Sequence, residues 1–345
     1  MSIRYYLLAA LIVTSLISVY SAVFHDGWLG IDYATFFKAA RLPIEELYRG
    51  RWLTFIYPPT GIPLLLPFRL IAFWPGFIVL AVISALAFAL SVANCSSRAI
   101  ASFSLLSYPA LQGLAWGQLS MLMAAILIFA LNLKPFRRGF LIGLLTAVKP
   151  QLFLAAPLVF AVRREWNALL GCVAGVFVVV SAVTLIYGFS PWMEWLKFTS
   201  TIRAYLHENG VIWHVITPFG FAEARGLSPL PFMLVGLFVA GWAVTRARET
   251  EDPLVLAAII GGASILSAPY ALSHDLIILM PAAMASLLHR KADVRQVSAY
   301  ALSLVALPVV SLPVFLVATL RRISPHDHLT PSAERSGLPR QDRRI

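Results

Sequence analysis

Polar positions along this 345-residue chain are few and bunched, and apolar runs of membrane-spanning length separate them. Runs at residues 5–24, 75–95, 99–116, 118–133, 139–162, 166–187, 229–244, 253–272, 276–288 and 297–320 predict helices. The stretch 60–74 is apolar but broken by proline, and 188–228 reads as a polar and aromatic loop. The pattern therefore predicts an all-α, polytopic integral membrane protein with about 11–12 membrane helices. Residues 1–320 read as one membrane domain, and the basic, proline-containing segment 321–345 as a disordered tail.

Between the first two runs lies the segment 30–59, "GIDYATFFKAARLPIEELYRGRWLTFIYPP". Tyr33, Phe36, Phe37, Ala40 and Ile44 fall on one helical face, and Thr35, Lys38, Arg41 and Glu45 on the other. This predicts a short helix lying in the membrane interface with Asp32 at its start.

Composition agrees with the pattern: 59% of residues are hydrophobic, 12% are charged and mean hydropathy is +0.81. The net charge of +11 is scattered in pairs, as the positive-inside rule leaves it on cytoplasmic loops. Membrane lipids, and no nucleic acid, are the partners this implies. Cys95 and Cys172 sit in or beside apolar stretches, so no disulfide framework is expected. The first run follows one Arg without a small-residue cleavage site, which reads as an uncleaved anchor with a cytoplasmic N-terminus.

Placing Arg98, Arg137, Arg138, Arg163, Arg164, Arg246, Arg248, Arg290 and Lys291 in the cytoplasm constrains the topology. Segment 60–74 must dip in and return, and 139–162 must be two short helices meeting at Lys149 and Pro150 near the outer face. The same count puts the basic tail outside, against the rule, so one element of this topology is out of place. Four features then share the outer face: the Asp32 loop, the Gly117–Gln118 turn, Lys149, and the break "PYALSHD" at 269–275.

Each feature has two readings. Asp32 is either an N-cap or a catalytic carboxylate at the membrane surface. Lys149 either snorkels from a hairpin tip or needs a counter-charge, for which the candidates are Asp275 and an anion such as a lipid phosphate. His274 and Asp275 either suit a helix dipole or orient a phosphate or a sugar hydroxyl. Gln118 either bonds neighbouring helices or serves the site. His207 and His214, among Trp192, Trp195 and Trp213, fall where tryptophans anchor to the interface or stack on sugars. Neither His nor Cys has metal-ligand spacing, so no metal is expected, and there is no P-loop, dinucleotide fingerprint or G-x-S-x-G elbow.

Taken in order, "DYATFFKAARLP" and "YPP" at residues 57–59, "GQLSMLM", "RRGFLIGLLTAVKPQLFLAAPLVFAVRREW" and "SAPYALSHDLIILMPA" resemble glycosyltransferase family 87. The resemblance covers about the first 290 residues. It implies a GT-C helical bundle that takes a sugar, mannose in characterised members, from a polyprenyl-phosphate donor without a cofactor. It also implies a lipid or glycan acceptor and a site on the outer face of a bacterial inner membrane. Asp32 matches the family's catalytic Asp in the first outer loop. Lys149, Gln118, His274, Asp275 and Tyr57 are then expected to bind donor phosphate or substrate. Two other readings remain: a transporter or flippase of lipid-linked sugars, and a membrane transferase of acyl or phospho groups.

Overall fold

The computed structural model describes residues 29–49 and 54–289, with residues 12, 13, 15–20, 23, 24 and 27 before them. The expected last span, 297–320, and the tail 321–345 lie outside the described residues. The described chain is all-α, in keeping with the expected fold class. Its helices are α1 (Ile31–Ala39), α2 (Leu66–Leu70), α3 (Phe73–Cys95), α4 (Arg98–Leu105), α5 (Tyr108–Trp116), α6 (Ser120–Leu131), α7 (Pro135–Val148) and α8 (Pro150–Phe153). They continue with α9 (Ala156–Val162), α10 (Trp166–Tyr187), α11 (Ser190–Glu208), α12 (Pro218–Ala224), α13 (Pro229–Arg246), α14 (Pro253–Ser267) and α15 (Met280–His289).

Among the described residues, three helices are long and apolar enough to cross a bilayer: α3, α10 and the segment Pro229–Glu249 that contains α13. Their apolar windows are only 28%, 22% and 28% buried, and they expose leucine, isoleucine, valine and phenylalanine side chains outward. The short helices show the reverse. Nearly every residue of α6 and α14 is buried, although α6 rises only about 18 Å, well under a hydrocarbon core. Short, interrupted helices survive at membrane depth because the longer ones surround them and neighbours satisfy the exposed backbone. At the break between α8 and α9, Ala155 N–H donates to Ser264 Oγ at 2.9 Å. At the end of α7, the Ala147 carbonyl accepts from Thr60 Oγ1.

The course of residues 135–187 follows from glycine packing. Gly139 lies against the Ala168 backbone and Gly143 against that of Cys172, while Gly171 and Gly175 meet Phe136 and Phe140. Residue numbers rise together in both helices, so α7 and α10 run parallel. The chain must therefore return between them, and α8–α9 is the return limb. Arg138 and Arg163 both pair with Glu165, at 2.8 and 2.6 Å, which places the two ends of the hairpin side by side. The hairpin expected from the charge pattern is present, its tip broken at Lys149 because Pro150 supplies no N–H. Segment 60–74 forms no spanning helix: a 3-10 turn Pro59–Leu65 and α2 stay beside α1, where Phe68 meets Tyr33 and Phe36.

Several elements differ from the sequence reading. The interfacial helix stops at Ala39, because Pro43 turns the chain before a separate 3-10 turn Ile44–Glu46. The run 99–116 is two helices, restarted at Ser107 and Pro109. Segment 188–228 is not a loop but α11, a 3-10 turn Val211–His214, and α12. Its polar composition hides a helical face on which Pro191, Trp195, Phe198, Ile202, Tyr205 and Leu206 turn inward. His274 and Asp275 lie in a 3-10 turn, Ser273–Leu279, that leads into α15.

Candidate active site

Gly30, in a left-handed conformation, caps α1, and its N–H bonds the Ala115 carbonyl at 2.8 Å. Asp32 is therefore in the first turn rather than at the cap, and no N–H of its own helix takes its carboxylate. Tyr33, next along, fills the space left by Gly117, where a β-carbon would stand 2.6 Å from that of Tyr33 and where φ is +75°. The Gly117 turn thus lets α1 lie directly on the α5–α6 junction, which carries Gln118.

Gln118 is oriented by its own bonds. Its Oε1 accepts from Tyr57 O–H at 2.8 Å and from Leu119 N–H at 2.9 Å, so its amide nitrogen faces Asp32 and donates to Oδ2 at 3.0 Å. Tyr57 and Gln118 are buried, whereas 23% of the Asp32 side chain reaches solvent. Burial lifts the Asp32 carboxyl to about 7, against the opposing pull of Lys149 and the Gln118 bond. A carboxyl held there is half-ionised near neutrality and suited to exchanging a proton.

Beneath it lies a second, sealed group. Lys149 Nζ donates to Asp275 Oδ1 at 2.6 Å and to Ser120 Oγ at 2.7 Å, with side chains only 3% and 1% exposed for Lys149 and Asp275. Ser120 O–H donates to the same Asp275 oxygen at 2.6 Å, and Asp275 Oδ2 accepts from Leu272 N–H at 3.0 Å. One Asp275 oxygen thus caps its helical turn and the other pairs with Lys149. Lys149, expected to meet a donor phosphate, is ion-paired with Asp275 within the fold, since a buried charge demands a partner.

His274 bridges the two levels. Its Nε2 is 3.5 Å from Asp275 Oδ1 and its Nδ1 is 3.9 Å from Asp32 Oδ2. Among the described residues Nδ1 is buried with no hydrogen-bond partner. The gap to Asp32 is too long for a direct hydrogen bond.

All six expected site residues, Asp32, Tyr57, Gln118, Lys149, His274 and Asp275, thus come together at one end of the bundle. His207 lies 3.6 Å from Glu223, and Trp192 donates to Thr184, so neither faces this cluster. Sequence reasoning missed Ser120, a lone hydroxyl opening an apolar helix. It also missed Trp116, whose ring packs edge-on to His274 at 5.7 Å and His214 at 6.5 Å. Tyr205 and Tyr270, close enough to feel the Asp32 charge, were not singled out, although Tyr270 lies in the polar break at 269–275. Among the described residues, no three His, Cys, Asp or Glu side chains are grouped to hold a metal ion.

A family model described as Glycosyltransferase family 87 matches residues 55–269, a stretch that holds Tyr57, Gln118, Ser120 and Lys149 but ends before His274 and begins after Asp32. Neither a curated protein nor a solved structure matches the chain.

Proposed function

The chain belongs to glycosyltransferase family 87, and on that premise we propose that this membrane glycosyltransferase moves a sugar, mannose, from a polyprenyl-phosphate donor to a hydroxyl of a lipid or glycan acceptor. The observation that carries the reading is Asp32: a partly exposed carboxyl, one oxygen fixed by Gln118, at the edge of a buried polar cluster.

In this scheme Asp32 accepts the acceptor's hydroxyl proton as that oxygen attacks the anomeric carbon. The bond from that carbon to the phosphate oxygen breaks, its electron pair leaves with polyprenyl phosphate, and a single displacement inverts the centre. His274 Nδ1 and Asp32 Oδ2 hold a substrate hydroxyl between them. The Lys149–Asp275 pair lies below as a fixed support, and the charge of Lys149 favours the ionised form of Asp32. The arginines at 138, 163 and 248 gather at the hairpin's far end, which by the positive-inside rule supports a site facing the periplasm of a bacterial inner membrane.

The test is transfer of radiolabelled sugar from polyprenyl-phosphate mannose in membranes containing the protein. Transfer that requires Asp32 supports the reading. Flipping of the lipid-linked sugar without a new glycosidic bond would replace it with the transport reading.

A further inference from the structure

At the end of the bundle opposite Asp32, a cavity of about 250 Å³ is lined by Val162, Arg163, Arg164, Arg248 and Glu251. We propose that this cavity binds the phosphate of an anionic membrane lipid, with the Arg164 and Arg248 guanidinium groups as its ligands.

Arg163 is the wall and not the ligand. Its Nε bonds Glu165 at 2.6 Å, Nη1 reaches the Ala247 and Thr250 carbonyls, and Nη2 takes both Glu251 oxygens at 2.7 and 2.8 Å. This fork ties the return limb of the hairpin to the turn after α13 and neutralises the one acid that lines the cavity.

The two neighbouring arginines differ. Arg248 donates Nε to the Val162 carbonyl at 2.8 Å, which fixes the plane of its guanidinium and leaves both terminal nitrogens without a partner among the described residues. The Arg164 side chain is exposed and has no partner among the described residues. It stands on a backbone with φ +60°, a left-handed conformation that a residue with a β-carbon adopts only under constraint from its surroundings. Two planar cations with open donors, facing a cavity whose acid is already paired, match the several oxygens of a phosphate.

The surroundings point to a lipid rather than a dissolved anion. Trp166 begins α10 two residues beyond Arg164 and is 62% exposed, the position of an interfacial anchor. Below it Leu158, Leu170 and Val173 are each about 60% exposed along α9 and α10, an apolar face for an acyl chain. A basic pocket at headgroup level above an apolar face is the arrangement that selects anionic lipids.

The test compares wild-type protein with the double variant R164Q/R248Q, which leaves the Arg163 fork and every residue near Asp32 in place. Purified protein is titrated with short-chain phosphatidylglycerol, phosphatidylcholine and inorganic phosphate, and adducts are counted by native mass spectrometry. Wild type is expected to hold one phosphatidylglycerol more tightly than the variant by about tenfold or more, with no such difference for phosphatidylcholine. Equal retention by wild type and variant would overturn the site. Saturation by inorganic phosphate with no preference for phosphatidylglycerol would leave an anion pocket and overturn the lipid. Because the readout is binding and not sugar transfer, its failure is distinct from failure of the proposed reaction.

Discussion

Replacing Lys149 with methionine separates the two roles open to that residue. In the folded protein its ammonium bonds Asp275 at 2.6 Å and Ser120 at 2.7 Å, in a place where almost no solvent reaches. Without it, Asp275 keeps only Ser120 and the Leu272 N–H, and a carboxylate is left buried without a counter-charge. Breaking a buried pair from one side costs about 3–5 kcal/mol, a large part of a typical net stability. Adding Asp275→Asn removes the stranded charge while keeping an acceptor for Leu272 N–H, so the double variant should recover about 2 kcal/mol or more. The assay is unfolding of purified protein in detergent for wild type, both single variants and the double variant, with donor binding measured alongside. A Lys149→Met protein as stable as wild type would refute the argument, as would a double variant no more stable than the single one. Normal stability with lost donor binding would instead give Lys149 to the phosphate.

Asp32→Asn should reach the membrane at normal levels yet transfer sugar at least about a hundredfold more slowly, as measured by turnover of labelled donor. The wild-type rate should rise with pH through about 7, because Asp32 must lose its proton to act, and Asp32→Asn should lack that limb. The sign for stability is opposite. The folded state binds a proton more tightly than the unfolded one, so the Asp32 contribution fades as pH rises from about 4 to about 7, a slope that pH-dependent unfolding of the Asn variant should lack. Gln118→Leu removes a bond that favours the ionised carboxylate, and should move the pH limb upward; an unmoved limb would exclude Gln118 as its support. Gly143→Ala drives a methyl into the Cys172 carbonyl and should destabilise by about 1–3 kcal/mol in unfolding measurements. In a cysteine-free background, single cysteines at the exposed positions 38 and 45 should react with an impermeant thiol reagent from outside, and cysteines at 137 and 164 only after permeabilisation; the reverse would invert the proposed orientation.

What the sequence disclosed follows the range of the forces involved. Hydropathy is averaged over about twenty residues, so it located the long helices and the break at Lys149 and Pro150. Charge bias is likewise a property of segments, and it sufficed for the hairpin. The helix Ser190–Glu208 escaped because its inward face is aromatic and interrupted by polar residues, which lowers the average while preserving the 3.6-residue period. The site itself was legible as isolated polar positions, since a charge or amide among apolar residues needs a reason. Their pairing was left open, with Asp275 and a lipid phosphate as alternative partners for Lys149. Nothing local links Lys149 to Asp275, 126 residues away, or marks Ser120 as the hydroxyl between them. The cap on α1 was misplaced by two residues because a left-handed glycine can serve as a cap in place of a side chain.

The parallel glycine seam between α7 and α10 has a mechanical consequence. Lys149 hangs from the end of α7 only six residues, or about 9 Å, beyond Gly143, where the two backbones touch. The other half of the seam, α10, is among the most lipid-exposed helices of the protein, and its tilt answers to the thickness of the hydrocarbon around it. At the four glycines the backbones of α7 and α10 meet directly, so the two helices are coupled there without intervening side chains. A displacement of α10 would therefore be passed through backbone contacts at four glycines to the end of α7 that carries Lys149.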